Sequence, residues 1–156
     1  MAKLNIVKEG DPILRKTSRK IETIDDRIKT LAADMLETMH DANGVGLAAV
    51  QVGKLRRLVI VEVDEGRPFI LINPEIVAKE GRQTEAEGCL SIPGKWGITD
   101  RPMKVTVRAT GLDGKNFSVI GSGLLARALC HEIDHLDGKL FTDNVIRMLD
   151  PDEIEN

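Results

Sequence analysis

The chain has 156 residues, 42% of them hydrophobic, which is enough for one domain over residues 1–156 whose core needs no disulfide staples. Its formal net charge is −3 with acids and bases interspersed, so it offers neither a basic face for nucleic acid nor a polybasic patch for a membrane surface. Three Phe, one Trp and no Tyr leave little for stacking on bases, and two cysteines are too few for a disulfide framework, which fits a reducing compartment and a cytoplasmic protein.

The start of the chain carries Glu9, Asp11 and Pro12 without an apolar core, so no signal or transit peptide is expected, and no stretch reaches the length of a membrane span. Residues 6–18 read as an arm packed on the domain, with a turn at Gly10-Asp11-Pro12 before the apolar anchors Ile13 and Leu14. Over residues 25–42, Ile28, Leu31, Met35, Leu36 and Met39 recur at helical spacing behind Asp25 as cap, and Asn43-Gly44 stops the run. This predicts an amphipathic surface helix. His40 at its polar end reads as solvated or hydrogen-bonded rather than as a metal ligand.

Residues 44–53, Gly-Val-Gly-Leu-Ala-Ala-Val-Gln-Val-Gly, let backbone approach something closely, and Gln51 stands alone in an apolar run. No Gly-Lys-Ser/Thr ending makes them a phosphate loop, and taken alone they read as a tight strand bend with Gln51 hydrogen-bonded in the core. Two β-rich runs between residues 57 and 73 flank Asp64-Glu65-Gly66 as a hairpin, Pro74 follows, and residues 75–85 read as a further extended segment. Residues 87–94 carry Cys89 into a turn-forming Ile-Pro-Gly. Residues 104–109 alternate Val105 and Val107 with Thr106 and Arg108, then turn through 111–114 into a strand at 116–120. The acidic tail, residues 150–156, reads as frayed or loosely docked.

The chemistry centres on His-Glu-Ile-Asp-His, residues 131–135. Histidines four apart project from one face of a helix and can grip one metal ion, while Glu132 stays off the metal and takes a proton from the water it acidifies. Leu124, Leu125, Ala126, Ala128, Leu129, Ile133 and Leu136 leave almost no polar stripe, so the helix is expected to be buried on most sides. A cluster of His, Glu and Asp in such a helix favours a divalent cation as partner.

A hydrolytic site of this kind takes three protein ligands. The extended pattern with a third histidine fails because Phe141 stands in its place. A carboxylate from a later helix leaves only Glu153 and Glu155, with little chain to support them. Cys130 points about 100° away around the helix and reads as a small buried hydrophobe. Cys89 remains, and a Cys-His-His site follows.

With these residues in view the sequence resembles the peptide deformylases, which are marked by Gly-x-Gly-x-Ala-Ala-x-Gln, Glu-Gly-Cys-Leu-Ser and His-Glu-x-Asp-His in that order. They stand here at residues 44–51, 87–91 and 131–135, and the likeness runs from Gly10 through Phe141. The resemblance implies an α+β fold with small antiparallel sheets around the motif helix. It implies one divalent metal on Cys89, His131 and His135, with Fe(II) the usual physiological ion and Zn, Ni or Co able to replace it. Glu132 is then general base and acid, and Gln51 and the Leu90 amide hold the oxyanion as the formyl group leaves an N-formyl-methionyl peptide. Gly44, Val45 and Gly46 would run beside the substrate, with Val45, Leu124, Ala128 and the stem of Arg127 walling its methionine. Such substrates are nascent peptides, met where they leave the ribosome. Glu87 and Arg101 are expected to brace the cysteine loop, with Asp134 behind the ligands. Val50 stands where the family often has Pro or Thr, and Cys130 where Gln is common; neither removes a catalytic group.

Overall fold

Leu58, Val59, Ile60 and Val61 make a strand without a polar face, and the computed structural model, which describes residues 2–154, shows both faces covered. Leu58 and Ile60 pack into an apolar cluster with Met35 and Met39 of a helix over Asp26–Asp41 (α1). Val59 and Val61 pack into a second cluster with Leu129 and Ile133 of a helix over Leu124–Leu136 (α2). The two-residue period of the strand thus divides its side chains between two cores, one on each side of the sheet.

That sheet is antiparallel throughout. It holds Gly46–Ala48 (β1), Leu58–Val61 (β2), Phe69–Glu80 (β3), Lys104–Thr110 (β6) and Asn116–Ser122 (β7) in the order β1-β2-β3-β6-β7. A second antiparallel sheet holds Gln83–Cys89 (β4), Ile92–Arg101 (β5) and Val145–Met148 (β8) in the order β4-β5-β8. The α+β architecture around the motif helix is the one the resemblance implies.

Some boundaries differ from the sequence reading. Residues 75–85 are not one segment, because β3 continues through Pro74 to Glu80 and β4 starts at Gln83. A register shift between Ile72 and Glu75, with Asn73 at φ 52°, lets the proline sit where the ladder is interrupted. Pro93 and Gly94 do not end the cysteine segment either, since β5 runs from Ile92 through them. The tail is not frayed through residue 153: Pro151–Glu153 form a helical turn, and Glu153 accepts from Arg147 at 2.9 Å. Glu155 and Asn156 lie outside the described residues.

Both helix predictions hold in outline. Asp25 caps α1 by accepting from the Ile28 amide, and Asn43 in the left-handed region follows its end. Helix α2 is buried along most of its length, as expected, except that Leu124 at its start is 42% exposed. The N-terminal arm is bonded to two segments that line the site: the Val7 amide donates to the Gln51 carbonyl and the Glu9 amide to that of Ser91, each at 2.7 Å. Among the described residues no helix is long and apolar enough to cross a membrane.

Candidate active site

Residues 131 and 135 lie one turn apart on α2, and their Nε2 atoms approach to 3.2 Å with the rings edge to face. Cys89 ends β4 at a two-residue turn into β5, which brings its Sγ to 3.4 Å from His135 Nε2. All three donor atoms lie within 4.8 Å of one another. Metal bonds of about 2.0–2.1 Å to nitrogen and 2.3 Å to sulfur set tetrahedral donor–donor edges of roughly 3.3–3.6 Å, so two separate elements already present near-correct edges of a coordination shell.

Behind the ligands lies a buried ionic chain. Glu87 accepts from His131 Nδ1 at 2.5 Å, from Thr99 Oγ1 at 2.9 Å and from Arg101 through two nitrogens at 2.7 and 3.1 Å. Arg101 in turn donates to Asp134 at 2.6 Å. Burial opposes charge on Glu87, but His131 and Arg101 outweigh it and hold the carboxyl down to about 2. A carboxylate on Nδ1 fixes the imidazole so that Nε2 faces the metal position. The expected roles of Glu87, Arg101 and Asp134 therefore have a geometry.

The electrostatics suit a cation. Burial favours neutral imidazole and pushes His135 well below its ordinary pKa, as a ligand requires. The same burial acts on His131, yet Glu132, Cys89 and Glu87 outweigh it and hold a proton there well above the usual range. Carboxyl groups gathered around a buried ring also favour a divalent ion at its free nitrogen.

Glu132 is 5% exposed, and burial pushes its carboxyl up to about 7. Its Oε1 has no hydrogen-bond partner among the described residues, and its side chain lines a cavity of about 480 Å³. Gly46 explains how it fits: a Cβ there would lie 2.5 Å from Glu132 Oε2. Gly44 makes room in the same way for Leu90, whose Cδ1 would be 2.6 Å from an added Cβ. Gln51 is buried, its Oε1 accepting from the Ala48 amide at 2.9 Å and its Nε2 directed at Ser91 Oγ, 3.1 Å away, and Cys89 Sγ, 3.5 Å away. The bend with a satisfied glutamine, read from sequence, is there, and it aims that glutamine at the ligands. The Leu90 amide, inside the turn after Cys89, has no acceptor among the described residues.

Gly44, Val45, Gly46, Gln51, Cys89, Leu90, Leu124, Arg127, Ala128, His131 and Glu132 share this one cavity, while fully buried His135 supplies its nitrogen from beneath. Cys130 packs in the core beneath α2, and burial pushes its thiol up to about 11. His40 pairs with Glu62 rather than joining the cluster. Trp96 and Lys95, on the cavity rim, were not singled out by the sequence reading. A solitary Trp between polar and glycine residues was the available signal.

A helix carrying His-Glu-x-x-His, completed by a cysteine from a neighbouring sheet and opening on a cavity with the glutamate uncommitted, defines the class of metal-binding hydrolases. The sequence model of the polypeptide deformylase family matches residues 3–150. The peptide deformylase of Acetivibrio thermocellus is 59% identical over 155 residues, covering 99% of this chain and 91% of that protein. That of Caldanaerobacter subterraneus is 56% identical, covering 99% and 97%. Among solved structures, a peptide deformylase from Legionella pneumophila superposes with a TM-score of 0.90 at 45% identity, covering 92% of this chain and 86% of that one. One from Synechococcus elongatus, in complex with actinonin, gives 0.89 at 40% identity, covering 93% and 80%. The chain belongs to the polypeptide deformylase family, hydrolases that remove the formyl group from the N-terminal formyl-methionine of newly made polypeptides and release formate.

Proposed function

We propose that the deformylase reaction runs on Cys89, His131 and His135 as metal ligands, Glu132 as general base and then acid, and Gln51 with the Leu90 amide as oxyanion donors. The observation that carries this reading is the meeting of three ligand atoms within 4.8 Å beside a buried carboxylate with an unpartnered oxygen. When bound, a divalent ion supplies Lewis acidity, making a water more acidic and polarising the formyl carbonyl. Glu132 accepts the proton of the attacking water and returns it to the departing amine, for which its unpartnered Oε1 facing the cavity is well placed. The Leu90 N–H and the Gln51 side-chain amide, turning from Cys89 to the substrate, donate to the oxygen on which negative charge develops.

The substrate enters as an extended strand. β1 and β4 are both outermost in their sheets, and both border the cavity. Val45, Leu124, Ala128 and the Arg127 stem then wall the methionine, with Gly44 and Gly46 passing alongside. The ligands come from a strand of the smaller sheet and a helix packed on the larger one, which supports reading residues 1–156 as one catalytic domain. We place its work in the cytoplasm, on formyl-methionyl chains emerging from the ribosome, with Fe(II) as the ion and Zn, Ni or Co as substitutes.

The test is formate release from formyl-Met-Ala-Ser, with acetyl-Met-Ala-Ser alongside, by freshly reconstituted Fe(II) protein. Formate without acetate is expected. Glu132→Gln should retain the metal and lose turnover; a variant still active would remove Glu132 from its role. Thiolate-ligated Fe(II) protein should lose activity in air faster than the Ni(II) form, and equal decay would count against the iron assignment.

A further inference from the structure

Arg127 is a half-buried cation in the cavity wall with no carboxylate within ion-pairing distance among the described residues. Its Nη1 donates to Gln83 Oε1 at 3.1 Å. Gln83 is itself buried, and its amide nitrogen donates to the Pro102 and Gly123 carbonyls, each at 2.9 Å. The guanidinium is therefore oriented by a neutral group that cannot cancel its charge. The other charges on the cavity do not cancel it either. Glu87 is taken up by Arg101 and His131, Glu132 lies at the ligand cluster, and Lys95 adds a second cation, with Glu9 3.8 Å away. Of the two lysine and arginine side chains on this wall, Arg127 is thus the one without a carboxylate partner among the described residues.

We propose that Arg127 selects an acidic side chain at the third residue of the substrate, counting formyl-methionine as the first. The inference rests on the deformylase reading of this cavity and on an extended peptide along β4. The Glu87–His131 and Gln83–Arg127 contacts set β4 and α2 running in the same direction, and Arg127 lies one helical turn, about 6 Å, before His131 with its side chain leaning on toward the start of α2, where Gln83 holds the head. A peptide with its formyl group at Cys89 and its chain leaving along this edge passes that head a few residues out. Side chains of an extended strand alternate, so the third shares the methionine's side, toward α2, while the second points away. The Arg127 stem then meets the methionine, and its fork meets a carboxylate two positions on.

The test uses metal-replete protein and C-terminally amidated tetrapeptides, so that no terminal carboxylate competes. Formyl-Met-Ala-Asp-Ala-amide is compared with its Asn counterpart, and formyl-Met-Asp-Ala-Ala-amide with its own. At the third position the Asp/Asn ratio of kcat/KM should be about three- to tenfold, as expected for one partly desolvated ion pair, expressed in KM and shrinking with added salt. At the second position the ratio should be near one. Arg127→Met, which keeps an aliphatic stem, should bring the third-position ratio to near one whatever its rate on neutral peptides, and Arg127→Lys should retain most of the preference. Equal ratios at both positions in the native chain, or a preference that survives Arg127→Met, would overturn the proposal. Failure of the native chain to release formate from any of these peptides would remove the deformylase reading itself and the proposal with it.

Discussion

At position 46 a single methyl group decides whether the Glu132 carboxylate can occupy its place. An added Cβ would meet Glu132 Oε2 at 2.5 Å, so Gly46→Ala must displace the carboxylate while the three ligands stay where they are. Activity should fall by about a hundredfold, as for a catalytic group moved by an ångström, with metal content unchanged in elemental analysis. Glu87 makes a second prediction. Its folded pKa of about 2 lies below the ordinary 4.5, so its contribution to stability is full above pH 4.5 and is lost as pH falls toward 2. Glu87→Gln should remove on the order of 3 kcal/mol at neutral pH and flatten the acid limb of a denaturation series between those values. It should also weaken metal binding by about 10–100-fold, because the His131 ring loses its orienting partner. At this scale the sequence was most legible where residues adjoin: His131, Glu132 and His135 follow from spacing on one helix. The pairing of Glu87 with Arg101 was expected only through the family resemblance and not from local pattern, since the β4–β5 hairpin brings them together across 14 residues.

Elements were legible in proportion to how much their residues matched one period. Helix α1 announced itself through spacing and its Asp25 cap, and β2 through four consecutive β-formers. Strand β5 hid because Pro93 and Gly94 read as turn residues and Gly97 broke its pattern. Gly97 is there for packing: an added Cβ would meet the Val145 side chain of β8 and come within 3.0 Å of Met148 Sδ. No periodicity along one strand encodes its neighbour's side chains. The role of α2 as both core and ligand-bearing element can be tested away from the cavity. Leu129 is fully buried in the cluster beneath the five-stranded sheet, and Leu129→Ala should lower stability by about 2–5 kcal/mol, read from the urea midpoint of metal-replete protein.

Across the whole molecule the three candidate ligands draw on both sheets. Cys89 belongs to the three-stranded sheet, while both histidines stand on a helix packed against the five-stranded one. A bound ion should therefore contribute to global stability, about 2.7 kcal/mol at a free concentration 100 times its Kd. Chelation should lower the melting temperature of the native chain, and the drop should largely vanish in Cys89→Ala, which binds the ion poorly at the outset. The sequence singled out these three residues, which the fold brings together, but not the union of the two sheets, because strand order is set by contacts far apart in the chain.

The indole of Trp96 lies over Gly88, close enough that a Cβ there would touch three of its ring atoms at 3.0 Å, and Gly88 adjoins Cys89. It is the chain's one tryptophan, and it is 41% exposed on the cavity rim. All indole emission from this protein thus originates beside the Cys89 sulfur, so loading, exchange and loss of the ion can be followed in real time by fluorescence, without a label and without turning over substrate.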